Sequence, residues 1–256
     1  MNKTLPNLIT ILGVAFITIS GTIDLDNLFN YSNQTKPQYI LKDNTPINNA
    51  IDNKTATLGR VLFYDKKLSA NNTIACASCH KQEKAFGDDA TQSIGLNGGL
   101  TGRHSMRLIN SKFSDEEKFF WDERAISLED QTTKPIQDHV EMGFSGTNGD
   151  ENINDLISKL SAIEYYQNLF NFAFGDKTIT EERIQLALSQ FIRSIQSFDS
   201  KYDIGRAQVN NIIANFPNFT VQENEGKRLF ITPPNMNGAG CIGCHRGDEV
   251  DIDPNS

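Results

Sequence analysis

Two short stretches of this chain combine the residue types that can hold an iron cofactor. Cys76-Ala-Ser-Cys79-His80 and Cys241-Ile-Gly-Cys244-His245 each set two thiols three positions apart and follow the second with an imidazole. At that spacing the two sulfurs can bond to the vinyl groups of one haem while the His comes to lie under its iron. A C-x-x-C pair alone would equally suit a disulfide, or half of a four-thiolate zinc site. Neither of those asks for a His directly after each pair. Yet two of the four His occupy those slots, and all four Cys lie in the two pairs. The reading is two covalently bound haem c groups, on Cys76, Cys79, His80 and on Cys241, Cys244, His245, with His80 and His245 as iron ligands. Disulfide and zinc remain the alternatives.

The elements that position these motifs read as helices. Ile153, Leu156, Ile157, Leu160 and Ile163 recur at helical spacing, as do Ile184, Leu188, Phe191, Ile192 and Ile195. Thr178 and Glu181 have the spacing of a capping box ahead of the second run. Thr220 and Glu223 repeat that spacing ahead of Leu229 and Phe230. No alternating strand pattern of similar length occurs, so the expected fold is all-α. The motifs lie far apart, which predicts one small cytochrome c-like haem domain for each. The expected boundaries are 54–200 for the first domain and 201–256 for the second. Residues 22–53, rich in Asn, Thr and Pro, read as a linker or N-terminal arm. The glycine-rich run Gly95 to Gly102 follows no strand pattern, which favours a mobile loop over a phosphate cradle.

Residues 1–21 read as an address. Lys3 precedes an apolar run from Leu8 to Ile19 that is short and interrupted by Thr10 and Thr18. This suits a signal peptide and a periplasmic destination better than an uncleaved anchor. The net charge of −8 excludes nucleic acid as a natural partner and is compatible with a basic protein partner.

Beyond the haem motifs, Leu58-Gly59-Arg60-Val61-Leu62-Phe63-Tyr64-Asp65 and Leu68-Ser69 precede the first motif. Ala85-Phe86, Ser93-Ile94-Gly95, Phe120-Trp121-Asp122-Glu123-Arg124-Ala125, Leu128-Glu129-Asp130-Gln131, Pro135-Ile136-Gln137 and Val140-Glu141-Met142-Gly143 follow it. In this order they resemble the bacterial di-haem cytochrome c peroxidase family, which includes the MauG-like enzymes, over roughly residues 35 to 250. The resemblance implies a peroxide-reducing haem at His80 and an electron-input haem at His245. It implies Glu141 as the distal acid/base for hydrogen peroxide, Gln131 as a distal hydrogen-bonding residue and Trp121 as the bridge between the haems. Electrons would come from a small donor protein, a cytochrome c or a cupredoxin, and a homodimer is compatible with the family.

The chain departs from the family in three places. Many relatives close the peroxide haem with a His shortly after Ser-Ile-Gly; here that position is Leu96, which cannot ligate iron. The first haem is therefore expected open, or capped by His104 or Met106. His104 also replaces an Asn that helps relatives hold calcium, and imidazole is a poor calcium ligand, so calcium is a weak expectation. His139 stands where relatives often have Pro and reads as a loop residue. Relatives continue past the second motif and supply its sixth ligand, so the second domain reads as incomplete. A MauG-like oxidase of a partner protein and a non-enzymatic di-haem electron carrier are the rival readings.

Overall fold

The computed structural model describes residues 27–114, 118–246 and 251–252. The expected signal peptide, 1–21, lies outside them. In chain order the described helices are α1 (Asn53–Tyr64), α2 (Cys76–Cys79), α3 (Leu128–Thr133), α4 (Ile153–Ser161), α5 (Glu164–Phe174), α6 (Glu181–Arg193), α7 (Lys201–Arg206) and α8 (Val221–Ile231). The strand content among the described residues is one antiparallel pair, β1 (His245–Arg246) with β2 (Asp251–Ile252). The all-α expectation holds, with irregular chain and short 3-10 turns filling the intervals.

The body is built around α1 and α6. α1 starts where the Asp52 carboxylate accepts from the Lys54 and Thr55 amides, satisfying donors that a helix start leaves free. It buries Leu58, Leu62 and Phe63 against Ile184, Leu188, Phe191 and Ile192 of α6. Gly59 sets how closely the two helices cross. A Cβ there would stand 1.9 Å from the Ala187 carbonyl oxygen, so only hydrogen fits. α4 and α5 close the core from one side with Leu156, Leu160, Leu169 and Phe170.

Two local expectations need correction. The cap of α6 is Thr180, whose hydroxyl accepts from the Arg183 amide; Thr178 lies two residues outside, its amide tied to Asp176. Thr180 sits directly before two glutamates, which suit the positive end of a helix. The apolar run from Ile153 to Ile163 is also not one helix. α4 ends at Ser161, and Ile163 opens α5. By contrast, Thr220 and Glu223 do form a reciprocal capping box on α8.

Residues 27–52 run as an extended arm laid on this body, with Tyr31 and Ile40 buried. Its end is fixed by a polar network. Asn49 donates to Glu129 of α3 and to Ser189 of α6, and Gln190 donates back to Asn49. Arg193, 2 % exposed, pairs through both terminal nitrogens with the two Glu129 oxygens. Burial alone would raise the Glu129 pKa, but Arg193 and the Asn49 hydrogen bond hold it down at about 2. The pair fixes α3 against α6, and thereby the direction in which Gln131 faces.

Candidate haem site

The first Cys-x-x-Cys-His motif folds as the single turn α2. Ser78 accepts from the Ala75 amide and the His80 amide bonds to the Cys76 carbonyl. One turn of helix brings both thiols and the imidazole to the same side, as a shared macrocycle requires. The His80 Nδ1–H donates to the Phe86 carbonyl at 2.9 Å, which leaves Nε2 as the nitrogen able to take iron. Burial lowers the pKa of His80, against the pull of the Phe86 and Met106 carbonyls. The imidazole is thus held neutral, the form that binds a metal. Phe63 of α1 lies beside its ring, 6.4 Å between centroids.

These three residues line a cavity of about 370 Å³, within the range of small-molecule and cofactor sites. Much of its wall is apolar, including Phe63, Ile74, Leu108, Met142, Leu188 and Ile192. Glu141, Gln131 and Trp121 line the same cavity. A region separated by some sixty positions in sequence is thereby gathered around one space. Gln131 has no hydrogen-bond partner for its amide among the described residues, so the group is free for a ligand.

Glu141 is held by backbone. Its amide donates to Asp138, and the Leu96 amide donates to the Val140 and Glu141 carbonyls. Gly95 permits this approach, because a Cβ there would lie 2.2 Å from the Val140 oxygen. Within the glycine-rich run, expected as a mobile loop, Leu96–Gly98 form a 3-10 turn that seats the Glu141 loop, while Gly98 and Gly102 face open space. A second brace joins the motif to that turn. Lys81, next to His80, pairs with the buried Asp88, which accepts from Ser93. Burial raises the pKa of the Glu141 carboxyl and Asp138 adds to it, while Arg124 opposes both. The same wall pushes the Cys76 thiol up to about 12, through burial first and then the neighbouring Cys79.

Trp121 stands at the rim, 56 % exposed, its indole N–H donating to the His104 carbonyl at 2.9 Å. His104 and Met106 also line the cavity, but the His104 ring is tied through Nδ1 to the Ala90 carbonyl. His139 lies in an exposed loop, bonded to Asp150 at 2.8 Å, as the loop reading expects.

The second motif shows the same local design. Cys241–Gly243 form a 3-10 turn, and His245 opens β1. Phe230 near the end of α8 lies 6.3 Å from the His245 ring, matching Phe63 and His80. Each Phe closes a Gly-x-x-Leu-Phe run, Gly59 to Phe63 and Gly226 to Phe230. That repeat was legible in the sequence but is too short and too variable between its fixed residues to stand out. Cys244 and His245 are exposed, unlike the first set.

The donor set fits haem c. All four cysteines are free thiols. No group of three or more His, Cys, Asp or Glu among the described residues is arranged to hold a metal ion, so the thiols do not converge on a zinc site. Two thiols and one imidazole on the wall of an apolar cavity suit a flat macrocycle with one axial ligand.

Residues 53–209 match the family described as di-haem cytochrome c peroxidase. MauG, the methylamine utilization protein of Methylophilus methylotrophus, is 32 % identical over 78 % of this chain and 54 % of its own length. Cytochrome c551 peroxidase of Nitrosomonas europaea is 30 % identical over 76 % of this chain and 52 % of its own length. Among solved structures, a MauG-like protein associated with microbial copper homeostasis superposes with a TM-score of 0.71 at 32 % identity, covering 86 % of this chain and 59 % of that one. The diheme peroxidase BthA of Burkholderia thailandensis gives a TM-score of 0.61 at 21 % identity, over 80 % of this chain and 52 % of that one, a likeness of fold. The chain spans about half the length of the curated relatives it matches. On its motifs, its cavity and these matches, the chain belongs to the di-haem cytochrome c peroxidase family.

Proposed function

We propose that this protein reduces hydrogen peroxide to water at a haem c held by Cys76, Cys79 and His80. The observation that carries the reading is the shared cavity, lined by His80 and both thiols together with Glu141 and Gln131. The iron of a bound haem supplies the electron chemistry at the O–O bond. The residues of the chain handle geometry and protons. His80 offers Nε2 from a ring fixed by Phe86. Glu141 takes the proton from hydrogen peroxide and returns it to the departing oxygen, which leaves as water. Gln131 orients the peroxide through its free amide. Leu96 leaves the distal side without an imidazole, in keeping with an open site. Any residual distal capping would fall to His104, whose Nε2 is not the nitrogen bonded to Ala90, or to Met106, since both line the cavity.

A second haem c on Cys241, Cys244 and His245 would receive electrons from a small donor, a cytochrome c or a cupredoxin, in the periplasm. Trp121 is the aromatic residue suited to conduct between the two. The repeated Gly-x-x-Leu-Phe brace behind each His supports the equivalence of the two attachment sites. No described helix is long and apolar enough to cross a membrane.

One observation favours a second reading, oxidation of a partner protein as in the MauG-like branch. Trp121 is half exposed at the rim, where an outside electron source could meet it. The test is to express the chain with haem-attachment machinery. The account expects two c-type haems per chain, and peroxide consumption when reduced cytochrome c is supplied. A reduced-minus-oxidised spectrum without a c-type band refutes it. Peroxide-dependent oxidation of a partner protein, without turnover on a soluble donor, favours the second reading.

A further inference from the structure

We propose that Tyr64 is a one-electron relay on the proximal side of the first site, joining His80 to reductants outside the protein through Phe63. The inference rests on the peroxide-reducing function proposed above, because that reaction supplies the oxidant. It concerns residues other than Glu141, Gln131 and Trp121.

The aromatic side chains behind His80 form a connected set. Phe63 lies 6.4 Å from the His80 ring, and Tyr64 lies 5.2 Å from Phe63 at an interplanar angle of 68°. Phe63 also meets Phe86 at 6.0 Å and Phe191 at 5.2 Å. None of the phenylalanines has a proton to release, so they can couple neighbours but are poor resting places for an oxidising equivalent. Two tyrosines belong to the set, and Tyr31 continues to Phe29 at 5.9 Å. Tyr31, reached through Phe191 at 6.3 Å, is 6 % exposed. Tyr64 is 41 % exposed, and its hydroxyl donates to Gln82 at 3.3 Å, a long and weak bond. Oxidation of a phenol expels its proton, so the ring in contact with water is the one that can be oxidised readily.

Tyr64 opens into a groove of about 540 Å³ that also exposes Phe29, Thr57, Arg60 and Gln82. The groove can admit a small phenol or hydroquinone against the Phe29 and Tyr64 rings. The step balances as follows. Tyr64 gives one electron through Phe63 and His80 to the peroxide-oxidised haem site and its hydroxyl proton to water, becoming a neutral tyrosyl radical. A hydroquinone in the groove then returns one electron and one proton. Two such passages supply the two electrons and two protons that convert hydrogen peroxide into two waters.

The test uses the haem-loaded protein, hydrogen peroxide and a radical-trapping nitroso compound, without donor. Visible spectra follow the haem, and peptide mass spectrometry locates the adduct. The expected result is an adduct on Tyr64, lost in Tyr64→Phe while the haem's spectral response to peroxide persists. Phe63→Leu keeps Tyr64 but removes the bridging ring, and is expected to diminish the Tyr64 adduct at unchanged haem content. If Phe63→Leu fails to fold, Tyr64→Phe and the control Tyr165→Phe, which should leave the Tyr64 adduct intact, decide the matter. A responsive haem with no Tyr64 adduct overturns the relay alone. Equal adducts on Tyr64 and the exposed Tyr165 also overturn it, since they indicate a diffusing oxidant. A haem that does not respond to peroxide overturns the relay and the proposed function together.

Discussion

Glu141 carries most of the chemical argument at the residue scale. Its carboxyl is half-buried and faces Asp138, and both raise its pKa above the ordinary glutamate value. A base must be deprotonated to accept the peroxide proton. The rate of the peroxide reaction should therefore fall as pH drops through the Glu141 pKa, and that acid limb should lie above the ordinary glutamate value of 4.5. A pH profile of peroxide reactivity measures this directly; a limb at or below that value contradicts the assignment. His80 makes a complementary prediction. His80→Ala keeps both thiols for attachment but removes the iron's nitrogen ligand, so the haem should remain covalently bound with an altered spectrum and without turnover. A spectrum of that haem unchanged from the native chain would show that another residue binds the iron.

At the scale of elements, stability and positioning come from a few close approaches. Gly59→Ala places a methyl group against the Ala187 carbonyl, 1.9 Å away before relaxation. Overpacking of this kind costs roughly 1–3 kcal/mol, so denaturant midpoints should drop by that equivalent. The Glu129–Arg193 pair has a pH signature. The folded carboxyl, about 2, lies below its ordinary 4.5. Its contribution is therefore complete above pH 4.5 and is lost as pH falls toward 2, about 3 kcal/mol in all. Stability measured across that interval should decline less steeply in Glu129→Gln than in the native chain.

The elements also show what could be read in advance. The amphipathic faces of α4 and α6, the cap of α8 and the haem motifs follow from local rules of period and spacing. α5 and the true cap of α6 did not, because Thr178 and Thr180 offer the same chemistry two residues apart and only the contacts of Arg183 and Asp176 choose between them. Gln131, Trp121 and Glu141 could be assigned to one cavity only through a family resemblance. No spacing rule connects three residues on α3, a rim loop and the loop after α3. The roles of Gly95 and Arg193 depend on contacts with residues far away in sequence, so composition and period are silent on them.

At the scale of the whole molecule, the two Cys-x-x-Cys-His motifs share a Phe ring beside the His but differ in their surroundings. The first lies on the wall of a cavity with an acid, an amide and an indole. The second is exposed at Cys244 and His245. The net charge of −8 adds a kinetic expectation. A basic donor should associate faster at low ionic strength and lose that advantage as salt screens the attraction. Turnover at limiting donor should fall with added salt, and a flat dependence would argue against electrostatic docking of the donor. The most direct test of the central claim is the rate of peroxide reaction in Glu141→Gln with both haems attached. The account predicts a fall of about 10²–10⁴-fold with the c-type spectrum preserved; a rate equal to that of the native chain would contradict it.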